Sequence, residues 1–130
     1  MFQKWSSFVK MQAYAHRDII LRQIGFNSYK EYLISNLWLS IRKRALERDK
    51  YTCVSCGSAA NQVHHKKYSK RILLGGKRTL KHMWSVCGSC HKQCEFSQDG
   101  QKLTLRTASN KLRKSIRRRN NNKNKSTAES

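Results

Sequence analysis

The sequence predicts a small α+β domain, and three observations predict it. Apolar residues recur at helical spacing through the first half of the chain, and two short strand patterns lie inside a bracket of paired cysteines. The last thirty residues hold ten Lys and Arg against one acid, which makes them an appended basic tail. A length of 130 residues leaves room for one domain with short arms. Over the whole chain twenty-eight Lys and Arg face seven Asp and Glu, a formal net charge of +21. That surplus repels itself unless an anionic partner neutralises it, so an ordinary metabolic enzyme is the wrong class and a polyanion the expected partner. A membrane surface offers anions too, and charge alone does not choose between them. No apolar run approaches the roughly 18 residues of a membrane span. Lys4, Lys10, His16, Arg17 and Asp18 interrupt every apolar stretch near the N-terminus, so no secretory leader is expected and a cytoplasmic location is.

Taken in order, residues 1–27 read as an N-terminal helical arm, with Trp5, Phe8, Val9, Ala13, Ile20 and Ile24 at mostly three- and four-residue steps and Gly25 as the stop. Ser28-Tyr29-Lys30-Glu31 fits a capping box that opens a lead-in helix within 28–52. There Leu33, Leu37, Ile41 and Ala45 repeat every four residues, with Trp38 and Leu46 beside them. Arg42, Lys43, Arg44, Glu47 and Arg48 crowd the other faces, and cations near a helix C-terminus suit its dipole. Residues 53–97 form the expected core, with strands over Gln62–His65 and Met83–Val86, a loop through Gly75-Gly76, and a helix from Cys87 to about Phe96. In 98–130, Leu103 and Leu105 alternate before Lys111, Arg113, Lys114, Arg117, Arg118 and Arg119, which would form a basic helix or an extended arm. Residues 120–130 have almost nothing apolar and read as disordered.

Cys53/Cys56 and Cys87/Cys90 are two C-x-x-C pairs, and each such turn presents two sulfurs on one side of a tight bend. Four thiolates complete a zinc tetrahedron and leave no open position, so the expected ion is a structural Zn²⁺. Without a secretory leader the set reads as a metal knuckle and not as disulfides. A structural zinc also compensates for the small core of a chain with 38% hydrophobic residues. Cys94, one turn after Cys90, is left over as a spectator thiol. His64, His65 and His82 lie inside the bracket and His91 directly follows it. Neighbours on a strand diverge, so one of His64 and His65 is free to ligate a metal while the other reaches a water. Closing the knuckle brings His64 toward His91, which opens a helix at the end that favours phosphate. Between the strands Lys66, Lys67, Lys70, Arg71, Lys77, Arg78 and Lys81 form a loop of one sign, suited to a phosphate backbone.

The run Val63-His64-His65-Lys66-Lys67-Tyr68, then Gly75-Gly76, then Met83 through His91, resembles the HNH endonuclease motif. The lead-in from Tyr32-Leu33 through Leu46-Glu47-Arg48-Asp49 to Cys53 is similar to that of small phage and bacterial members, so the likeness spans about residues 28–96. It implies a ββα-metal (His-Me finger) core: two antiparallel strands and a helix around one catalytic divalent cation. It implies His64 and His91 as ligands of that cation, His65 as the general base that deprotonates water, and Cys53, Cys56, Cys87 and Cys90 on zinc. The family's middle Asn or Asp is replaced by His82, a departure that puts the orientation of the base, and activity itself, in question. Two imidazoles suit Mn²⁺ or Ni²⁺ better than Mg²⁺, which phosphate oxygens and water still permit. The partner implied is DNA, held through its phosphates by the loop cations and by Arg113, Arg117 and Arg118, with cleavage as a monomer or weak homodimer. Removal of residues 106–130 is expected to weaken binding and spare the cleavage step. Two rival readings stand beside this one: a non-catalytic zinc module that binds nucleic acid, and a degenerate HNH interaction subunit.

Overall fold

The computed structural model describes residues 14–129, with side chains through residue 125. Trp5, Phe8, Val9 and Ala13 of the expected arm lie outside the described residues. Helix α1, residues 14–23, buries Ile20 and Leu21. It stops where the sequence places a stop: Gly25 takes φ 103°, and Phe26 N–H returns to Leu21 O at 2.8 Å. Ser28 then caps helix α2 (Tyr29–Leu33), its Oγ accepting from Glu31 N at 3.0 Å. The Glu31 carboxylate accepts from Asn27 N at 3.1 Å, one residue earlier than a capping box requires.

The lead-in is two helices and not one. Ser35 breaks it, donating to Tyr32 O and accepting from Trp38 N, and so caps helix α3 (Asn36–Arg48). Helix α3 buries Trp38, Ile41, Ala45 and Leu46. Its arginines serve as staples: Arg42 donates to Asn61 O, Arg44 to Gly75 O at 3.1 Å, and Arg48 to Leu80 O and to Met83 O at 2.7 Å. Gly75 has φ 70°, and a Cβ there would stand 2.6 Å from Ile41, so this turn admits no side chain.

Strands β1 (Gln62–His65) and β2 (Met83–Val86) form an antiparallel pair in the register Gln62↔Val86, Val63↔Ser85, His64↔Trp84, His65↔Met83. Both strands have the expected bounds. The connection holds the short helix α4 (Lys70–Leu73) and a 3-10 turn at Leu80–His82. Helix α5 (Gly88–Glu95) follows β2 directly. Tyr32, Leu46, Leu73 and Met83 join one buried core, and Tyr32 donates its hydroxyl to Leu73 O at 2.7 Å. Among the described residues no helix is long and apolar enough to cross a membrane.

Of the helix and the extended arm that the sequence leaves open for the basic tail, the helix is found. It is helix α6 (Leu105–Glu129), which buries Ala108 and Leu112 and packs on α5. Ser115 hydrogen-bonds Ser55, and the Lys111 ammonium caps the carbonyls of Gln93 at 2.8 Å and Phe96 at 3.3 Å. Residues 120–129, expected to lack structure, continue the helix. Ala108, Leu112 and Ile116 recur every four residues, an anchoring stripe that the surrounding charge concealed. The chain is therefore a small mixed α+β protein with a two-stranded sheet and one cluster of four cysteines.

Candidate metal centre

The turn from Cys53 to Cys56 is closed by Gly57, which has φ 81° and donates to Cys53 O at 2.9 Å. Cys87 caps α5 through its sulfur, with Cys90 N–H 3.4 Å away. The ligand sulfurs of Cys53, Cys56, Cys87 and Cys90 all lie within 4.8 Å of one another. Cys56 and Cys87 are 3.7 Å apart. A tetrahedron with Zn–S bonds of about 2.3 Å has edges of about 3.8 Å, so the sulfurs stand as zinc needs them. Hydrogen bonds from Ser58 hold the Cys56 thiol down to about 6, while burial pushes Cys90 up to about 12. Four thiolates at this spacing repel one another strongly, and a divalent cation among them removes the conflict. Cys94 stays apart: it is buried, donates to His91 O at 3.1 Å, and is held up at about 12 by desolvation.

A second cluster lies where β1 meets α5. His64, His91 and Glu95 bring one donor atom each within 4.8 Å of one another. His64 reaches it from the face of β1 that it shares with Gln62, and His91 and Glu95 reach it one helical turn apart on α5. Gln62 Oε1 accepts from His91 Nδ1–H at 2.7 Å, which leaves His91 Nε2 facing Glu95 Oε1 at 3.0 Å. Both facing atoms carry lone pairs in a neutral ring and an ionised carboxylate, so the geometry calls for a proton or a metal between them. With a proton there, the hydrogen bond that His91 Nε2–H donates holds the Glu95 carboxyl below its ordinary range despite burial. Burial, then the neighbouring His91, lowers His64 to about 4, so its ring is neutral and its lone pair available at physiological pH. His64 Nε2 meets Ser109 Oγ of α6 at 2.9 Å. Two imidazoles and a carboxylate fit a divalent transition metal.

His65 diverges from His64 as strand alternation requires. It is 3% exposed, with ring centroids of Trp38 at 4.7 Å and Tyr68 at 5.2 Å, and desolvation lowers it to about 3. Its Nε2 is buried without a hydrogen-bond partner among the described residues. His82 holds its loop through the backbone, accepting from Lys66 N at 2.8 Å and donating to Thr79 O at 3.0 Å. Its side chain lines a groove of about 1120 Å³. Lys66, Lys67 and Lys81 line that groove together with Arg106 and Arg113 of α6, and among the described residues no Asp or Glu lines it. A smaller cleft of about 400 Å³ shares Lys67, Lys81 and His82 and adds Arg71 and Arg78. Lys70 and Lys77 are exposed and line neither. Arg117 is exposed one turn beyond Arg113, whereas Arg118 lies beside Ser55 and Cys56 at the knuckle.

Glu95, Gln62 and Ser109 were missed in the sequence. The first two carry a signal: Glu95 stands four residues after His91 on a helix, and Gln62 two before His64 on a strand. Ser109 carries none, because only the packing of α6 brings it to His64. No protein-family model, curated protein or solved structure matches this chain, so the geometry of the two clusters and the groove carries its functional reading.

Proposed function

We propose that this chain is a metal-dependent endonuclease of the HNH type that hydrolyses DNA phosphodiester bonds. The observation that carries the reading is Ser109, which touches His64 of the His64–His91–Glu95 cluster and also lines the acid-free groove. Residues that could hold a metal thus stand beside a groove lined by cations, which supports the reading. Cys53, Cys56, Cys87 and Cys90 would hold a structural zinc that fixes the start of α5 and so the position of His91. His64, His91 and Glu95 would hold a divalent cation, which when bound supplies charge to the scissile phosphate and its leaving oxygen. Lys66, Lys81, Arg106 and Arg113 seat the neighbouring phosphates. His65 serves as the base that takes the proton of the attacking water. Its orphaned Nε2 supports this role, because a buried polar atom without a partner is rare outside functional or hydrated positions. Burial holds the ring neutral, the form a base starts from, while lowering the proton affinity that the step itself needs. A zinc module without catalysis accounts for the cysteines and cations, and leaves His64, His91 and Glu95 without a task.

The test is relaxation and linearisation of plasmid DNA by wild type, His65→Ala, His91→Ala and Glu95→Gln in Mg²⁺, Mn²⁺ and Ni²⁺ separately, with DNA binding followed in parallel. Cutting is expected to be highest in Mn²⁺ or Ni²⁺ and to vanish in all three variants while binding persists. Tight binding without cutting in any metal refutes catalysis and makes the chain a binding module, with His82 the first residue to revert to Asn.

A further inference from the structure

We infer that helix α6 is a rail for one strand of a DNA duplex, guiding it from the metal cluster along the stripe Arg106, Asn110, Arg113 and Arg117. This deepens the nuclease reading and rests on it for the direction of the strand. The steps of four, three and four residues keep these side chains on one face of the helix. Arg106, Asn110 and Arg113 line the acid-free groove together with Ser109, which bonds His64, so the stripe begins at the cluster. Arg113 donates to Asn110 Oδ1 at 2.9 Å, and its guanidinium lies 5.6 Å from the ring of Trp84. The Lys66 ammonium lies 3.7 Å from the same ring, and Trp84 is the cross-strand partner of His64. Asn121 and Asn124 extend the stripe beyond Arg117 with neutral hydrogen-bonding groups.

From Arg106 to Arg117 the helix rises about 16 Å. That spans about five nucleotides of one strand at 3.4 Å per step. A lipid surface is the other polyanion a basic helix serves, but such a helix lays an apolar face into the membrane. The apolar stripe of α6, Ala108 and Leu112 with Ile116 beside them, is already spent on the core, and Leu105 at its start lines the groove. Four of the six remaining cations of α6 lie elsewhere. Lys111 caps α5, Arg119 closes over Gly57, and Lys114 and Arg118 face the knuckle side. The whole run of charge is therefore not one binding surface.

The experiment measures binding of the zinc-loaded protein to a fluorescent 20-base-pair duplex between 50 and 300 mM salt, with no other divalent metal added. Wild type is compared with the stripe variant Arg106→Gln, Arg113→Gln, Arg117→Gln. A second triple, Lys114→Gln, Arg118→Gln, Lys125→Gln, removes equal charge from a neighbouring face. Each lost phosphate contact lowers the salt slope by about 0.9, so the stripe variant is expected to lose nearly 3 and to bind about a hundredfold more weakly at 150 mM. The second triple is expected to lose less than 1. Equal losses in the two triples would overturn the rail in favour of diffuse attraction. Loss of binding to phosphatidylserine vesicles with the duplex slope unchanged would overturn it in favour of a membrane. Melting curves of both triples establish that the fold is intact. No cutting is measured, so a failed rail and a failed nuclease are separate results.

Discussion

Replacing Gln62 by Leu removes the acceptor that orients His91. The bond from His91 Nδ1 to Gln62 Oε1 is 2.7 Å long, and it sets the ring so that Nε2 faces Glu95 at 3.0 Å. Without it the imidazole is free to turn over and present the wrong nitrogen. Partners of this kind contribute about 10- to 100-fold in metal affinity. That is about 1.4 to 2.7 kcal/mol. Gln62 is exposed, so the change takes nothing from the core and the fold should hold. The assay is calorimetric titration of zinc-loaded protein with Ni²⁺, cross-checked by quenching of Trp84, whose ring lies 6.2 Å from that of His64. Gln62→Leu is expected to weaken Ni²⁺ at least tenfold. Gln62→Glu, which makes the bond charge-assisted and the ring more basic, is expected to tighten it. An unchanged Ni²⁺ affinity in Gln62→Leu would refute the second cluster as a metal centre held by this contact.

Three further outcomes follow from the same geometry. Zinc removal with a chelator, or Cys87→Ser, is expected to abolish the cooperative melt seen by circular dichroism. A structural zinc contributes about 10–16 kcal/mol, as much as a whole domain's stability, so apo protein that melts within a few degrees of holo protein would refute the knuckle. Burial pushes the Asp49 carboxyl up, but hydrogen bonds from Arg48 and Ser85 outweigh it and hold the group below its ordinary range. Its stabilisation is complete above the unfolded value of about 3.9 and is lost as pH falls through the folded one. Asp49→Ala should cost about 3 kcal/mol in urea unfolding at pH 7 by orphaning the Ser85 N–H, and Asp49→Asn, which keeps an acceptor, about 1. Equal costs would show that the bond contributes nothing. His65→Phe keeps an aromatic ring between Trp38 and Tyr68 and removes the orphaned nitrogen, so stability should rise by about 1 kcal/mol. A clear loss of stability would mean that this nitrogen has a partner.

Patterns of short period were the legible part. Short strand-like runs on either side of the Gly75-Gly76 loop matched both strands to their bounds, the Gly25 and Ser28 signals marked a helix end and a helix start, and each C-x-x-C announced its turn. The one lead-in helix became two because Ser35 bonds Tyr32 O and Trp38 N, and a serine inside an apolar run does not reveal which of its bonds it will make. The arginines of α3 read as cations suited to the helix dipole, whereas Arg48 reaches Met83, thirty-five residues away.

Local chemistry written in the sequence determined the four sulfurs, the adjacent histidines and the one-signed loop, since residue type and near spacing suffice for each. Tertiary structure alone decided that Glu95 joins His64 and His91, that Ser109 closes on them, and that the basic tail is a packed helix lining the groove. Each of these depends on distances between segments far apart in the chain. Those distances are set by how α5, α6 and the sheet bury their apolar faces together, and no short window of sequence contains that information.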